Sequence, residues 1–155
     1  MVKPSSPFTK SELDYLDSQT LGRLATVQPN GTLQNNPVGF RYIRGTATID
    51  IRGNDMSKSR KYRNVVDNGR VAFVVDDIRS TNPWRVRCLE IRGHAEGIET
   101  SEGAIIRVHP ERIISFGIDE PDKDPHELTP NIRDATELPE RDARDRAFFS
   151  KGAGT

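Results

Sequence analysis

The chain has 155 residues, and its 23 basic and 23 acidic side chains give a formal net charge of zero at pH 7. A neutral chain of this length predicts one domain and argues against wholesale electrostatic binding to nucleic acid or to a membrane. The single cysteine cannot form an intrachain disulfide, which is typical of the reducing cytoplasm, so we expect a cytoplasmic protein. The N-terminal residues lack the apolar run of a signal peptide, and no apolar segment is long enough to predict a transmembrane helix.

The first third of the chain predicts one short helix and three strands. Residues 1–8 look flexible, and residues 9–16 combine capping side chains with apolar positions three apart, which favours a helix. Residues 22–28 and 34–42 alternate as strands do, and the Asn-Gly dipeptide between them favours a tight hairpin. Residues 46–51 predict a third strand. Because the connections are too short for crossovers, we expect the three strands to form an antiparallel meander.

Residues 52–70 concentrate positive charge between two predicted strands. After Arg52 at its start, this segment carries Lys58, Arg60, Lys61, Arg63 and Arg70, against two aspartates. We expect a loop and then a short helix that begins near Asp55 or Ser57 and ends at a glycine cap, Gly69. A helix N-terminus flanked by cations is typical of a phosphate or carboxylate site, and the alternative is an ordinary solvated helix.

The middle of the chain continues the sheet. Residues 71–75 predict a central strand, residues 76–83 a polar loop, and residues 84–97 a long strand with a bulge at Gly93. Residues 105–118 contain two apolar runs separated by His-Pro, of which the second predicts a strand.

The C-terminal part differs in character. Residues 119–155 are acidic, carry several prolines and few apolar side chains, and predict an extended or disordered tail after a domain that spans residues 9–118. The tail could include a short helix over residues 141–149, or lie across a partner subunit through its two phenylalanines, Phe148 and Phe149. The whole order predicts a mainly β protein: a six- to seven-stranded antiparallel closed or split barrel with one basic helix between strands.

The chain lacks the usual signatures of protein-based catalysis. His94, His109 and His126 lie far apart in the sequence without metal-ligand spacing, so we expect no metal site. Cys88 falls within a strand, where a buried structural thiol is the simplest interpretation. Glycine-rich phosphate loops and nucleophile motifs are also missing from the sequence. An anion site without an evident nucleophile, base or metal indicates that a bound cofactor carries the chemistry, and no catalytic residue is assigned.

Four stretches together resemble a known family. They are GRLATVQPNGTLQNNPVGF, KSRKYRNVVDNGRVAFVVDD, LEIRGHAEGI and VHPERIISFGI. Their order and spacing resemble the pyridoxamine-phosphate-oxidase-like superfamily of split β-barrel flavoproteins, and most closely its branch that uses the deazaflavin coenzyme F-420. The most specific piece is the Lys/Arg-rich helix that ends in Asn-Gly-Arg before a valine-rich strand.

The resemblance implies a homodimer with two cofactor sites in grooves between the subunits. The cofactor-binding residues that it implies are Gln34, Asn35, Asn36, Pro37 and Val38 on the strand after the hairpin, Ser57, Lys58, Arg60, Lys61 and Arg63 on the basic segment, and Trp84. Lys61 matches the phosphate-binding lysine, and Lys58, Arg60 or Arg63 could hold the glutamate tail of F-420. For Trp84 the alternative is a rim or core aromatic residue.

The implied activity is an F-420-dependent oxidoreductase that transfers a hydride to an electron-poor double bond of a small organic acceptor. Two alternatives stay open: an FMN-binding oxidoreductase of the same fold, and a non-catalytic module that binds a cofactor or haem. Pyridoxamine phosphate oxidases proper carry a basic and aromatic C-terminal segment that helps bind the substrate phosphate. The tail here is acidic, which argues against vitamin B6 oxidation.

Overall fold

The computed structural model describes residues 6–136, which form two helices and eight strands. The helices are α1 (Lys10–Ser18) and α2 (Arg60–Asn68), and the strands are β1 (Leu21–Val27), β2 (Leu33–Gly39), β3 (Arg41–Ile43), β4 (Thr48–Ile51), β5 (Arg70–Thr81), β6 (Trp84–Thr100), β7 (Gly103–Phe116) and β8 (Asn131–Asp134). All paired strands are antiparallel, in the order β2-β1-β5-β6-β7-β4-β3, with β8 also paired to β7. The predicted mainly β, antiparallel class is therefore confirmed. Within this part of the chain, neither helix is long and apolar enough to cross a bilayer.

The predicted three-strand meander forms in its pairings, but its second strand is broken into β2 and β3. The hairpin of β1 and β2 forms as expected, with Leu21 opposite Gly39. β3 and β4 also pair with each other, and β4 pairs with β7 at the other side of the sheet. A single residue, Phe40, separates β2 from β3, so the predicted strand over residues 34–42 is interrupted there. The chain thus passes from one edge of the sheet to the other within one residue, which requires the sheet to curl on itself.

Phe40 is held at this junction by an aromatic contact. Its ring packs edge-on against Phe73 of β5, with centroids 5.2 Å apart and an interplanar angle of 69°. Phe73 is fully buried, and a Cβ atom on Gly22 would lie 2.4 Å from its ring. Edge-to-face pairs of this kind add about 0.5–1.5 kcal/mol to the burial of the rings themselves. The junction between the two sheet edges is therefore anchored in the core.

The central strands are longer than predicted. The expected loop over residues 76–83 is mostly strand, because β5 continues to Thr81 through backbone pairing with β6. β7 is likewise one strand across the His-Pro dipeptide rather than two runs. The predicted irregularity at Gly93 is confirmed, although the extra residue, Glu111, lies on β7. Gly93 is required by a close approach, since a Cβ atom there would lie 2.1 Å from a carbonyl oxygen of β7.

One hydrophobic core lies against the sheet. Alternate residues of β5, Val71, Phe73 and Val75, are buried there, as strand periodicity requires. α1 closes one end of the core with Tyr15 and Leu16. Each large apolar side chain that is fully buried in this way contributes roughly 1.5–3 kcal/mol.

The structured region extends past residue 118, where the sequence predicted the domain to end. β8 pairs with β7, and its Arg133 is buried against Glu12 of α1. Glu12 also accepts a hydrogen bond from Ser115 at 2.6 Å, and Arg133 donates to the carbonyl of Pro7 at 2.7 Å. This network joins the N-terminal segment, α1, β7 and β8. The helix predicted over residues 141–149, and Phe148 and Phe149, lie outside the described residues, as do residues 1–5.

Candidate cofactor site

α2 begins later than the sequence predicted. A 3₁₀ turn, Met56–Lys58, comes first, and Ser59 then caps the helix by accepting a hydrogen bond from the Tyr62 N–H at 3.2 Å. Asp55 has a left-handed backbone (φ 49°), so the helix cannot start there. The predicted glycine cap is confirmed, because Gly69 is left-handed with φ 68° and donates to the Val65 carbonyl.

Tyr62 and Val65 fix the orientation of α2. Both side chains are buried beneath the helix. The Tyr62 ring lies directly over Gly97 of β6, where a Cβ atom would come within 2.7 Å of it. Burial raises the pKa of the Tyr62 phenol, and the nearby Glu99 carboxylate raises it further, so this tyrosine is neutral at physiological pH. With this face packed, the basic side chains of the helix are directed outward.

We define the basic patch as Lys58, Arg60, Lys61 and Arg63. In the part of the chain covered by residues 6–136, none of the four forms an ion pair or a side-chain hydrogen bond. Several other arginines are paired, as in the two-pronged contact of Arg107 with Asp50 at 2.8 and 2.9 Å. The patch sits at the start of α2, whose first N–H groups have no intrahelical acceptor. Its charges are therefore available to an external anion.

Ser57, which was predicted to help bind a phosphate, lies in the 3₁₀ turn that precedes the patch. Its side chain is exposed, and it neighbours Lys58 in the chain. The structure thus brings the five predicted residues of the basic segment together within one short turn-and-helix unit.

The five predicted residues on β2 divide between two faces. Gln34, Asn36 and Val38 are half-buried or buried, whereas Asn35 and Pro37 are exposed. A ligand on one face therefore meets alternate side chains, and the others contribute only through their backbone. β2 is also the outer strand of the sheet, so among residues 6–136 only one of its backbone edges is paired, with β1. Pro37 suits such an edge because it has no N–H to donate.

Asn64 connects α2 to the predicted strand and was not singled out from the sequence. It is fully buried, and its Nδ2 donates to Thr26 Oγ1 at 3.0 Å and to Gln34 Oε1 at 3.4 Å. Its Oδ1 is buried without a partner among the described residues. Such an acceptor is uncommon in a folded protein and calls for a donor at the junction of α2, β1 and β2. A polar residue beside the inward-facing Val65 was the available signal in the sequence.

Trp84 lies apart from the basic patch within one protomer. It begins β6 and is half exposed, and it lines a cavity that contains no residue of the patch. Gly97, on which α2 packs, is near the far end of β6, roughly 40 Å further along the strand at about 3.3 Å per residue. Its assignment to the cofactor stays a prediction that requires a second protomer.

The cysteine of the chain does not resemble an activated nucleophile. Burial raises the pKa of the Cys88 thiol to about 11, and the neighbouring carboxylates of Asp76 and Glu90 act in the same direction. The thiol is therefore protonated at neutral pH, as expected for a structural cysteine.

Two histidines that the sequence analysis treated as remote come together in the structure. His94 and His109 face each other across β6 and β7 with stacked rings 4.8 Å apart, and they contact Glu111 and Glu96 respectively. Cross-strand pairing brings these two positions together although they are distant in the sequence.

The donor set of the patch fits an acidic cofactor. Guanidinium and ammonium groups are the usual partners of phosphate and carboxylate oxygens. FMN offers one phosphate, and F-420 offers a phosphate and glutamate carboxylates. Lys61 and its neighbours Lys58, Arg60 and Arg63 could hold such groups, and Gln34 and Asn36 supply amide groups on the side of β2 that contacts α2.

Comparisons with known proteins agree with this fold. The sequence model described as pyridoxamine 5'-phosphate oxidase matches residues 8–127. The chain is 45% identical over 121 residues to the 5a,11a-dehydrotetracycline/5a,11a-dehydrooxytetracycline reductase of Streptomyces rimosus, and the match covers 73% of this chain and 85% of that protein.

Solved structures of low sequence identity share the architecture. The FAD binding protein from Mycobacterium smegmatis superimposes with a TM-score of 0.55 at 21% identity, over 70% of this chain and 93% of that one. The pyridoxamine 5'-phosphate oxidase-related, FMN binding protein from Nostoc punctiforme gives a TM-score of 0.55 at 11% identity, over 80% and 95%. The open antiparallel sheet is thus a split barrel, and the chain belongs to the pyridoxamine 5'-phosphate oxidase family.

Proposed function

We propose that the protein is an oxidoreductase that uses coenzyme F-420 to reduce an electron-poor double bond. The observation that carries the proposal is the basic patch, where four cations without a partner in the described part of the chain meet one helix start. One phosphate requires fewer charges than four, whereas F-420 carries glutamate carboxylates in addition to its phosphate. The relative at 45% identity is named as a reductase, which supports the same class of reaction here.

Each group of residues has a role in this proposal. Lys61 binds the phosphate, and Lys58, Arg60 and Arg63 bind the glutamate tail. Gln34 and Asn36, with the free backbone edge of β2, orient the ring system beside the sheet. The reduced deazaflavin supplies a hydride when bound. The acceptor double bond gains that hydride and one proton from water, so the residues of this chain need only position the reactants and limit the access of water.

We extend the proposal to the acceptor class. The name of the relative describes the reduction of a dehydrotetracycline. We infer that the acceptor of this protein likewise contains a carbon–carbon double bond that a conjugated carbonyl group makes electron-poor, because hydride transfer requires such a bond.

A homodimer with cofactor grooves between the subunits completes the proposal. β2 is an edge strand of the described sheet with an exposed Leu33, and α2 exposes Val66, so both elements offer apolar surface. β2 also offers a backbone edge that no described strand pairs. Trp84 could reach such a groove only from the other protomer. Light scattering should give twice the protomer mass of 17.4 kDa. A monomer at micromolar concentration would refute this part of the proposal.

The test of the cofactor is a fluorescence titration with F-420 and with FMN. We expect tighter binding of F-420, and a Lys61→Ala variant that binds about tenfold more weakly, since one charge-assisted contact is worth roughly 1.5 kcal/mol. Arg63→Ala should weaken the binding of F-420 more than the binding of FMN, because FMN has no glutamate tail. Lys10→Ala, an exposed lysine on α1, is the matched control and should bind normally. Equal and weak binding of both cofactors by the wild-type protein would contradict the proposal.

FMN is the second candidate. The Nostoc punctiforme structure of the same fold is named as FMN binding, which favours a flavin in this architecture. A protein that purifies yellow, with a flavin spectrum and a Kd for FMN below that for F-420, would favour this alternative.

A further inference from the structure

The cavity that Trp84 lines lies at the opposite end of β6 from the basic patch. It occupies about 320 Å³ between the β5–β6 hairpin and the chain that follows β7. Its aromatic and apolar lining comes from Trp84, Phe116, Pro121, Pro125 and Leu128. This volume is at the lower end of the roughly 300–1,000 Å³ that is usual for small-molecule sites. The shape and lining therefore suit a compact, flat apolar body.

Most of the charged groups around this cavity are already neutralised. Arg85 forms an ion pair with Asp124, and Glu120 is bonded to Lys123 at 3.2 Å. Glu120 also accepts a hydrogen bond from the Thr129 N–H at 2.9 Å, which lowers the pKa of its carboxyl group. These groups keep the rim ordered and leave little net charge for a ligand.

Arg79 is the exception. Within residues 6–136 its guanidinium forms no ion pair and no hydrogen bond. The nearby carboxylate, Asp77, is already bonded to Tyr15 and Arg87. The cavity thus carries one guanidinium that makes no direct contact with a carboxylate within residues 6–136, although it lies near enough to Asp77 to help lower the pKa of that carboxyl group.

The backbone places Arg79 at this position by an irregularity in the sheet. Ile78 pairs with Val86 and Ser80 pairs with Arg85, so Arg79 is an extra residue in β5 without a partner on β6. A bulge of this kind redirects its side chain relative to a regular strand, and bulges are frequent beside binding sites. Here the redirected side chain lines the same cavity as the half-exposed ring of Trp84.

We propose that this cavity binds a small planar aromatic carboxylate, whose ring packs on Trp84 and Phe116 and whose carboxylate pairs with Arg79. Within one protomer the site is separate from the basic patch. Its test uses cofactor-free protein, because Trp84 is also predicted to reach the cofactor of a second protomer. Its selectivity has two parts: the aromatic walls favour a flat ring, and the free guanidinium favours an anion over a neutral analogue.

The tryptophan itself reports the binding. Trp84 is the single tryptophan of the chain, so in cofactor-free protein its emission, excited at about 295 nm where benzoate does not absorb, follows this cavity. Three probes separate the two contributions: benzoate, neutral benzamide, and the non-aromatic anion cyclohexanecarboxylate. We expect benzoate to change the emission saturably. Benzamide should bind about fivefold more weakly, the factor that a partly exposed ion pair provides, and cyclohexanecarboxylate about threefold more weakly.

Variants identify the residue that supplies the charge. Arg79→Gln should weaken the binding of benzoate about fivefold and leave the binding of benzamide unchanged. Arg79→Lys should keep most of the wild-type affinity for benzoate. Lys61→Ala, in the basic patch, is the matched control and should leave benzoate binding unaltered. No saturable response to benzoate, or the same benzoate affinity in wild type and Arg79→Gln, would overturn the proposal. An equal loss of benzoate affinity in Lys61→Ala would also overturn the proposal, because it would place benzoate at the basic patch.

Discussion

Replacement of Arg133 by methionine tests the buried network that ties β8 to α1. The side chains of Arg133 and Glu12 are 7% and 1% exposed, and the two form an ion pair. Methionine keeps an apolar stem of similar length but removes every donor. The Glu12 carboxylate would then remain buried with only the Ser115 hydroxyl at 2.6 Å and the Thr9 N–H at 2.9 Å.

The expected loss of stability follows from this arrangement. Removing one partner of a buried ion pair leaves an uncompensated charge and costs about 3–5 kcal/mol. The two carbonyl contacts of Arg133 with Pro7 and its bond to Asn131 are lost as well. Because a domain of this size is stable by only about 5–15 kcal/mol, the variant should lose a large fraction of its free energy of unfolding.

The assay is urea denaturation followed by circular dichroism, with the midpoint and the slope fitted separately. Arg112→Met is the matched control, since Arg112 on β7 pairs with Asp134 on β8 and both side chains are largely exposed, at 45% and 56%. Its free energy of unfolding should fall by less than about 1 kcal/mol. The double variant Glu12→Gln with Arg133→Met should be more stable than Arg133→Met alone, because it removes the stranded charge. If the free energy of unfolding falls no more in Arg133→Met than in Arg112→Met, the network does not hold β8 in place.

Two further variants test other parts of the fold. Bonding to Arg87 holds the pKa of Asp77 below its ordinary value, so its contribution to stability is present above a pH of about 4 and is lost as the pH falls through the lower pKa of the folded state. The free energy of unfolding of Asp77→Asn should therefore be lower than that of the wild type by about 1–2 kcal/mol at pH 7 and by less near pH 3. Thermal unfolding across that pH range measures the difference, and an equal decrease at both pH values would exclude this linkage. Gly93→Ala should destabilise the protein by roughly 2 kcal/mol or more, since the added methyl group would meet a backbone carbonyl at 2.1 Å, whereas Gly39→Ala, with no atom within 4 Å of the new Cβ, should change little in the same melts.

Local patterns in the sequence predicted the features that depend on neighbouring residues. The hairpin of β1 and β2 follows from one Asn-Gly dipeptide, and the end of α2 follows from Gly69. The basic patch was also identifiable, because its four cations lie within six consecutive positions of one short segment. In each case the energetic reason lies within a few residues of the feature itself.

Features that depend on distant pairing were not predictable in the same way. The change of sheet edge at Phe40 is decided by pairing of β4 with β7, more than 50 residues away in the chain. Arg133 lies in an acidic, proline-rich stretch, and only its contact with Glu12 shows that it belongs to the core. The free charge of Arg79 depends on a register shift between two strands whose individual patterns are regular.

The single-residue link between β2 and β3 has a consequence for motion. The outer strands of an open sheet usually fray first and independently, because each has one neighbour. In this protein the two outermost strands are consecutive in the chain, and the residue between them is anchored on Phe73. Detachment of one therefore pulls on the other, and amide protons on the two opposite margins of the sheet should exchange with solvent as one cooperative unit.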